Sequence, residues 1–160
     1  AALTDTLTIA GDLKTDNTVA MDEFDADVYF SGTSIVKDDT GNKAVSQIID
    51  GRDYGKVEAL HFTAKDQVVK AKFTIANDAG NEFDALIKAS AVTVENAADD
   101  HDPIFSVVWS WSDSVCDTSD ATIAPGETKD LWVTITLLET PQEIHNASFT
   151  VTCPPTAVEQ

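Results

Sequence analysis

Along much of the chain, apolar and polar residues change places at every second position, the period of a β-strand with one buried face. Gln67–Ala76 shows this most clearly. Val69, Ala71, Phe73 and Ile75 fall on one side, and Lys70, Lys72 and Thr74 on the other. Asp130–Glu139 does the same, setting Leu131, Val133, Ile135 and Leu137 against Trp132, Thr134, Thr136 and Leu138. Further strands are expected over Asp27–Val36, with a bulge at Gly32, and over Val57–Ala64, Glu82–Glu95, Ile104–Ser112 and Ala147–Cys153. The inner face of Glu82–Glu95 would be Phe83, Ala85, Ile87, Ala89 and Ala91, and that of Ile104–Ser112 would be Phe105, Val107, Trp109 and Trp111. Asn77–Asn81 has hairpin-turn chemistry and Ala124–Glu127 is a Pro-Gly turn. Pro154-Pro155 ends the last strand, because proline has no N–H to give to a ladder. One segment departs from the pattern. Lys43–Asp50 places Ala44, Gln47 and Ile48 at helical spacing with Gly51 behind them as a C-cap, which predicts one short helix. The expected fold is all-β, a two-sheet jelly roll or β-sandwich with that single helix.

The opening segment, Ala1–Ala10, alternates as well. Leu3, Leu7 and Ile9 share one face of an extended chain, and Thr4, Thr6 and Thr8 share the other. Gly11-Asp12 ends the run, and the polar, acidic residues 12–25 follow as a loop or hinge. Such a strand either closes the sheet of its own chain or leaves to complete a neighbour's. In the second case backbone hydrogen bonds supply affinity and alternate side chains fill pockets. The chain then divides into a donor strand, residues 1–12, and one sandwich domain, residues 13–160.

The charge narrows the partners. A formal net charge of −18 over 160 residues opposes binding to nucleic acid and to anionic membrane surfaces. It suits divalent cations, high salt or a basic partner, and equally a solvated acidic surface. No run of 18 apolar residues offers a membrane span. Ala-Ala at the start is what a removed signal peptide would leave, and this points to export. In an exported chain Cys116 and Cys153 would form one disulfide, whereas in a reducing compartment they would be two buried thiols. Asn146-Ala-Ser148 is a glycosylation sequon.

Catalytic chemistry finds little support. His61, His101 and His145 sit in no HExxH pattern, there is no GxSxG elbow, and the seven glycines form no phosphate cradle. The chain is therefore expected not to be an enzyme and to need no cofactor. The alternative cation site is calcium on the loop carboxylates Asp99, Asp100 and Asp102, since calcium requires several converging hard oxygens. Trp109, Trp111 and Trp132 could together line a sugar-binding platform, or they could belong to the core or to a seam between subunits.

Two segments carry a resemblance. Residues 60–96 place Phe73, Ile75, Asn77 and Gly80 in a Phe-x-Ile-x-Asn turn followed by a returning strand. Residues 123–152 run from a Pro-Gly-Glu turn through an alternating strand to a final Phe-containing strand. Together with the Thr-rich opening, they resemble the TasA/camelysin-like group of bacterial biofilm-matrix fibre subunits and archaeal bundling pilins. The resemblance implies an extracellular subunit of a pilus or matrix filament. Its N-terminal strand would fill a groove in the next copy, making a homopolymer whose filaments could bundle side by side. Burying Leu3, Leu7 and Ile9 there would contribute about 1.5–3 kcal/mol each. Some relatives are labelled metallopeptidases, but this chain departs from that chemistry in its scattered histidines. A monomeric calcium- or carbohydrate-binding module is the remaining alternative.

Overall fold

The computed structural model describes residues 2–6, 27–41, 44–96, 105–139 and 144–159. Its centre is the antiparallel pair β5 (Val68–Asn77) and β10 (Thr128–Leu137). The alternation read from the sequence is the alternation in burial. Val69, Ala71, Phe73, Ile75, Leu131, Val133, Ile135 and Leu137 are all fully buried. Facing residues meet across the ladder, Leu131 opposite Phe73, Val133 opposite Ala71 and Ile135 opposite Val69. β2 (Val28–Asp38) adds to β5, and β8 (Phe105–Ser110) adds to β10, giving the sheet order β2-β5-β10-β8. The bulge expected at Gly32 is present, between Phe30 and Gly32, and a second lies between Ile35 and Lys37.

The second sheet is built on β4 (Tyr54–Phe62) and β11 (Ile144–Thr152), in the order β1-β11-β4-β3, with β7 (Thr93–Asn96) also on β11. Here β1 is Ala2–Thr6 and β3 is Val45–Ile49. The two sheets close on one another where Gly55 of β4 lies over Phe73 of β5. A Cβ at position 55 would come within 2.6 Å of that ring, so the approach requires glycine. Edge-on contact of Phe30 with Phe73, centroids 5.8 Å apart, fills the same layer. A small third sheet, β12-β6-β9, caps the core; it consists of β12 (Thr156–Glu159), β6 (Phe83–Ile87) and β9 (Ala121–Ile123). The result is an all-β sandwich with one more small sheet than the two expected.

Four local expectations are corrected. Residues 44–50 form no helix, and Lys43 of the expected helix lies outside the described residues; β3 pairs antiparallel with β4 as a hairpin. Ala44 and Ile48 do both pack on the core, but a spacing of four fits a strand's period as well as a helix's. β-branched Val45, Ile48 and Ile49 favour the strand. Gly51, taken as a cap, instead sits at φ 68° in the hairpin turn, between Asp50 at 52° and Arg52 at 74°. Asn77–Asn81 is not a hairpin, since it carries the chain from β5 to β6 in a different sheet. Nor is Glu82–Glu95 one strand. It breaks at a single 3-10 turn, Ala89–Ala91, beyond which β7 joins the other sheet. Asp120 anchors that break by accepting the Ala89 N–H at 2.8 Å, and Val92 is buried in place of the half-exposed Ala89 and Ala91. The chain also continues past Pro154-Pro155 into β12, which pairs with β6.

Asn77 holds the corner between sheets. It is buried, and its amide donates to the carbonyls of Phe83 and Ile123, both at 2.9 Å. Asn81 Nδ2 donates to Asn77 Oδ1 at 2.7 Å, and the Gly126 N–H donates to the Asn77 carbonyl at 2.7 Å. A buried side-chain amide satisfied on both ends fixes the geometry of three elements at once. The Phe73, Ile75 and Asn77 positions of the resemblance are thus two core residues and a corner staple.

Candidate functional site

The N-terminal strand is not free in the single chain. β1 runs parallel to β11, with Ala2 opposite Ile144, Leu3 opposite His145, Thr4 opposite Asn146, Asp5 opposite Ala147 and Thr6 opposite Ser148. The other side of β11 is occupied by β4, with a register shift between Ala147 and Phe149. The β1 side is divided between two short strands. β7 takes Phe149–Thr152, and β1 takes Ile144–Ser148. Among the described residues, β1 alone covers that half of the edge, and β1 pairs with no other strand. Leu7, Thr8 and Ile9 of the expected donor set lie outside the described residues, while Leu3, Thr4 and Thr6 lie in β1.

The other candidates are placed as follows. Asp99, Asp100, Asp102 and His101 lie outside the described residues. His61 is in β4 and His145 in β11, and each is next to Asn146, by pairing or along the chain. The sequon residue Asn146 has strands on both sides, His61 of β4 and Thr4 of β1.

The disulfide expectation is corrected, because both cysteines are free thiols. Cys153 is fully buried in the core cluster, and burial pushes its thiol far above the ordinary range. Cys116 is exposed in the loop after β8. That loop is tied to its own strand end rather than to Cys153. Trp111 N–H donates to the Asp117 carbonyl at 2.8 Å and its indole N–H to the Ser119 carbonyl at 2.7 Å. Ser110 Oγ donates to the Val115 carbonyl at 3.0 Å. Hydrogen bonds from the Ser119 hydroxyl and backbone N–H hold the Asp117 carboxyl below the usual carboxylate range.

The three tryptophans do not form one platform. Trp109 and Trp111 meet edge to face at 5.5 Å on the core side, with Trp111 buried. Trp132 alternates with buried Leu131 and Val133, so it stands on the outer face, opposite Ser110 of β8 and Lys72 of β5. There it lines a depression of about 200 Å³ under the loop, with Lys70, Val108, Asp113, Ser114 and Cys116 among its other walls. Sequence reasoning missed this depression because cross-strand register is what sets Trp132 beside Ser110 and Thr134 between Lys70 and Val108, with Lys72 next to Trp132 outside its walls.

Fold and edge together define an all-β sandwich whose terminal strand covers half of an otherwise open sheet edge. No family model, no curated protein and no solved structure matches the chain.

Proposed function

We propose that the chain is a structural subunit that polymerises by strand exchange, β1 of one copy taking the place on β11 that its own β1 fills in the single chain. The divided edge of β11 carries this reading. A five-residue parallel strand offers about five ladder hydrogen bonds, at about 1 kcal/mol net each. Ordering those residues costs about 1–2 kcal/mol apiece, so the intrachain pairing is close to balance. The same contact made between copies costs the fold nothing new. Residues 7–27 between β1 and β2 supply the length for the strand to reach a neighbour. Head-to-tail exchange yields an open filament wherever the rotation between successive copies does not close a ring. The resemblance to TasA/camelysin-like fibre subunits supports an extracellular setting for it. Electron microscopy of the purified chain, with and without residues 1–10, tests the proposal. Filaments are expected only from the full chain, and filaments from the truncated one would overturn the proposal.

A further inference from the structure

The outer face of the β2-β5-β10-β8 sheet carries three lysines of a strongly acidic chain, together with Asp130, which accepts the Thr74 hydroxyl at 2.7 Å. Of ten basic residues, Lys37, Lys70 and Lys72 lie there on neighbouring strands. Lys37 stands directly opposite Lys70 across the ladder, an arrangement that is destabilising in itself. Lys37 has Asp39 at 3.9 Å, and Lys70 Nζ donates to Asp113 Oδ1 at 2.6 Å. Lys72 has no ion-pair partner among the described residues, and it is the cross-strand neighbour of Trp132. The Trp132 indole N–H likewise has no hydrogen-bond partner among them. Beside it the depression offers the Ser112 and Ser114 hydroxyls, 3.3 Å apart, and the Lys70–Asp113 pair, a donor and an acceptor side by side. Val108 and Val115 remain about half exposed or more, at 48% and 64%.

We infer that this depression binds a sugar ring carrying a carboxylate, as found in an acidic polysaccharide. The apolar face of the ring packs on Trp132, and its hydroxyls exchange hydrogen bonds with Ser112, Ser114 and the Lys70–Asp113 pair. Its carboxylate extends over the rim to Lys72, which stands across the ladder from Trp132. An acidic peptide fits less well. Peptides dock by adding a strand to a free sheet edge; β5 and β10 have both edges paired, and although β8 ends the sheet among the described residues, a strand added there would run alongside β8 rather than over Trp132. The site is separate from β11, so it stands or falls independently of strand exchange.

Saturation-transfer NMR on the full chain, which reads ligand signals whatever the size of the assembly, tests the inference with methyl glucuronide, methyl glucoside and a short oligoglutamate as probes. The glucuronide is expected to bind with a dissociation constant on the order of 1–10 mM, as suits a shallow site. The glucoside should bind about tenfold more weakly, lacking the charge-assisted contact. Lys72→Gln should bring the glucuronide down to the glucoside's level, and Asp113→Asn, on an exposed loop, should weaken both sugars. Trp132→Thr, which keeps strand propensity, should abolish both signals. Equal binding of the two sugars, no sugar signal from the wild-type chain, or oligoglutamate binding as tightly as the glucuronide would each overturn the inference.

Discussion

The β5–β10 pair and the outer half of β11 are both ladders of one sandwich, but they are held by different physics. At the centre, each strand has a neighbour on both sides and one fully buried face. Register is fixed there by side chains, because a slip of one residue would turn Val69, Phe73, Leu131 and Ile135 toward water. At the edge, β1 contributes five residues in a parallel ladder and pairs with nothing else described. Backbone hydrogen bonds hold it, and these serve a strand from any copy equally well. The comparison teaches that one chain can combine a centre that admits a single arrangement with an edge on which the proposed exchange would act.

The sharpest contrast comes from truncating the centre. Phe73→Ala removes a ring that touches Phe30 and lies under Gly55, and it should cost about 3–5 kcal/mol in urea unfolding. Asn77→Ala should cost about 2–3 kcal/mol by the same measurement, since it strips the carbonyls of Phe83 and Ile123 of a shared donor. Were either substitution near neutral, the centre would be no more specified than the edge.

Cys153 provides a pH-dependent form of the same test. Its folded-state pKa is raised by burial above the ordinary thiol value of 9.0, so the thiol stays protonated when folded and ionises when unfolded. Its stabilising contribution is complete below that value and is lost as pH climbs past it. The cost of Cys153→Ala should therefore shrink by about 1.4 kcal/mol per pH unit above the ordinary thiol range. At the edge the effect on folding should be smallest. Thr4→Pro puts a residue without an N–H in the middle of β1 and should change the unfolding free energy by less than about 1 kcal/mol. Assembly, followed by light scattering, should weaken by the same free energy, up to about fivefold in the association constant.

What the sequence made legible follows the same division. Strands with one buried face announce themselves by alternation, and β5, β8 and β10 appear where the pattern puts them, with Phe105 and Trp111 buried as expected. Where the signal is compatible with two periods, as at Ala44 and Ile48, local pattern could not separate a strand from a helix. Small residues such as Ala89 and Ala91 mark no face strongly, so the break between β6 and β7 depended on Asp120, distant in sequence. β9 and β12, three and four residues long, are too short for periodicity to register. The β11 edge was legible only as a question, which strand completes it. The row Lys72–Trp132–Ser110 was not legible at all, being a product of register between strands far apart in the chain.

Strand exchange can be read covalently. Thr4 and Asn146 are ladder partners, so a Thr4→Cys/Asn146→Cys chain, with Cys116→Ser to remove the exposed thiol, can be oxidised and run on a non-reducing gel. A ladder of cross-linked multimers, collapsing to a single band on reduction, is the expected result. A single monomeric band carrying an internal disulfide, at concentrations where the wild-type chain assembles, would show that β1 stays on its own subunit and would contradict the proposal.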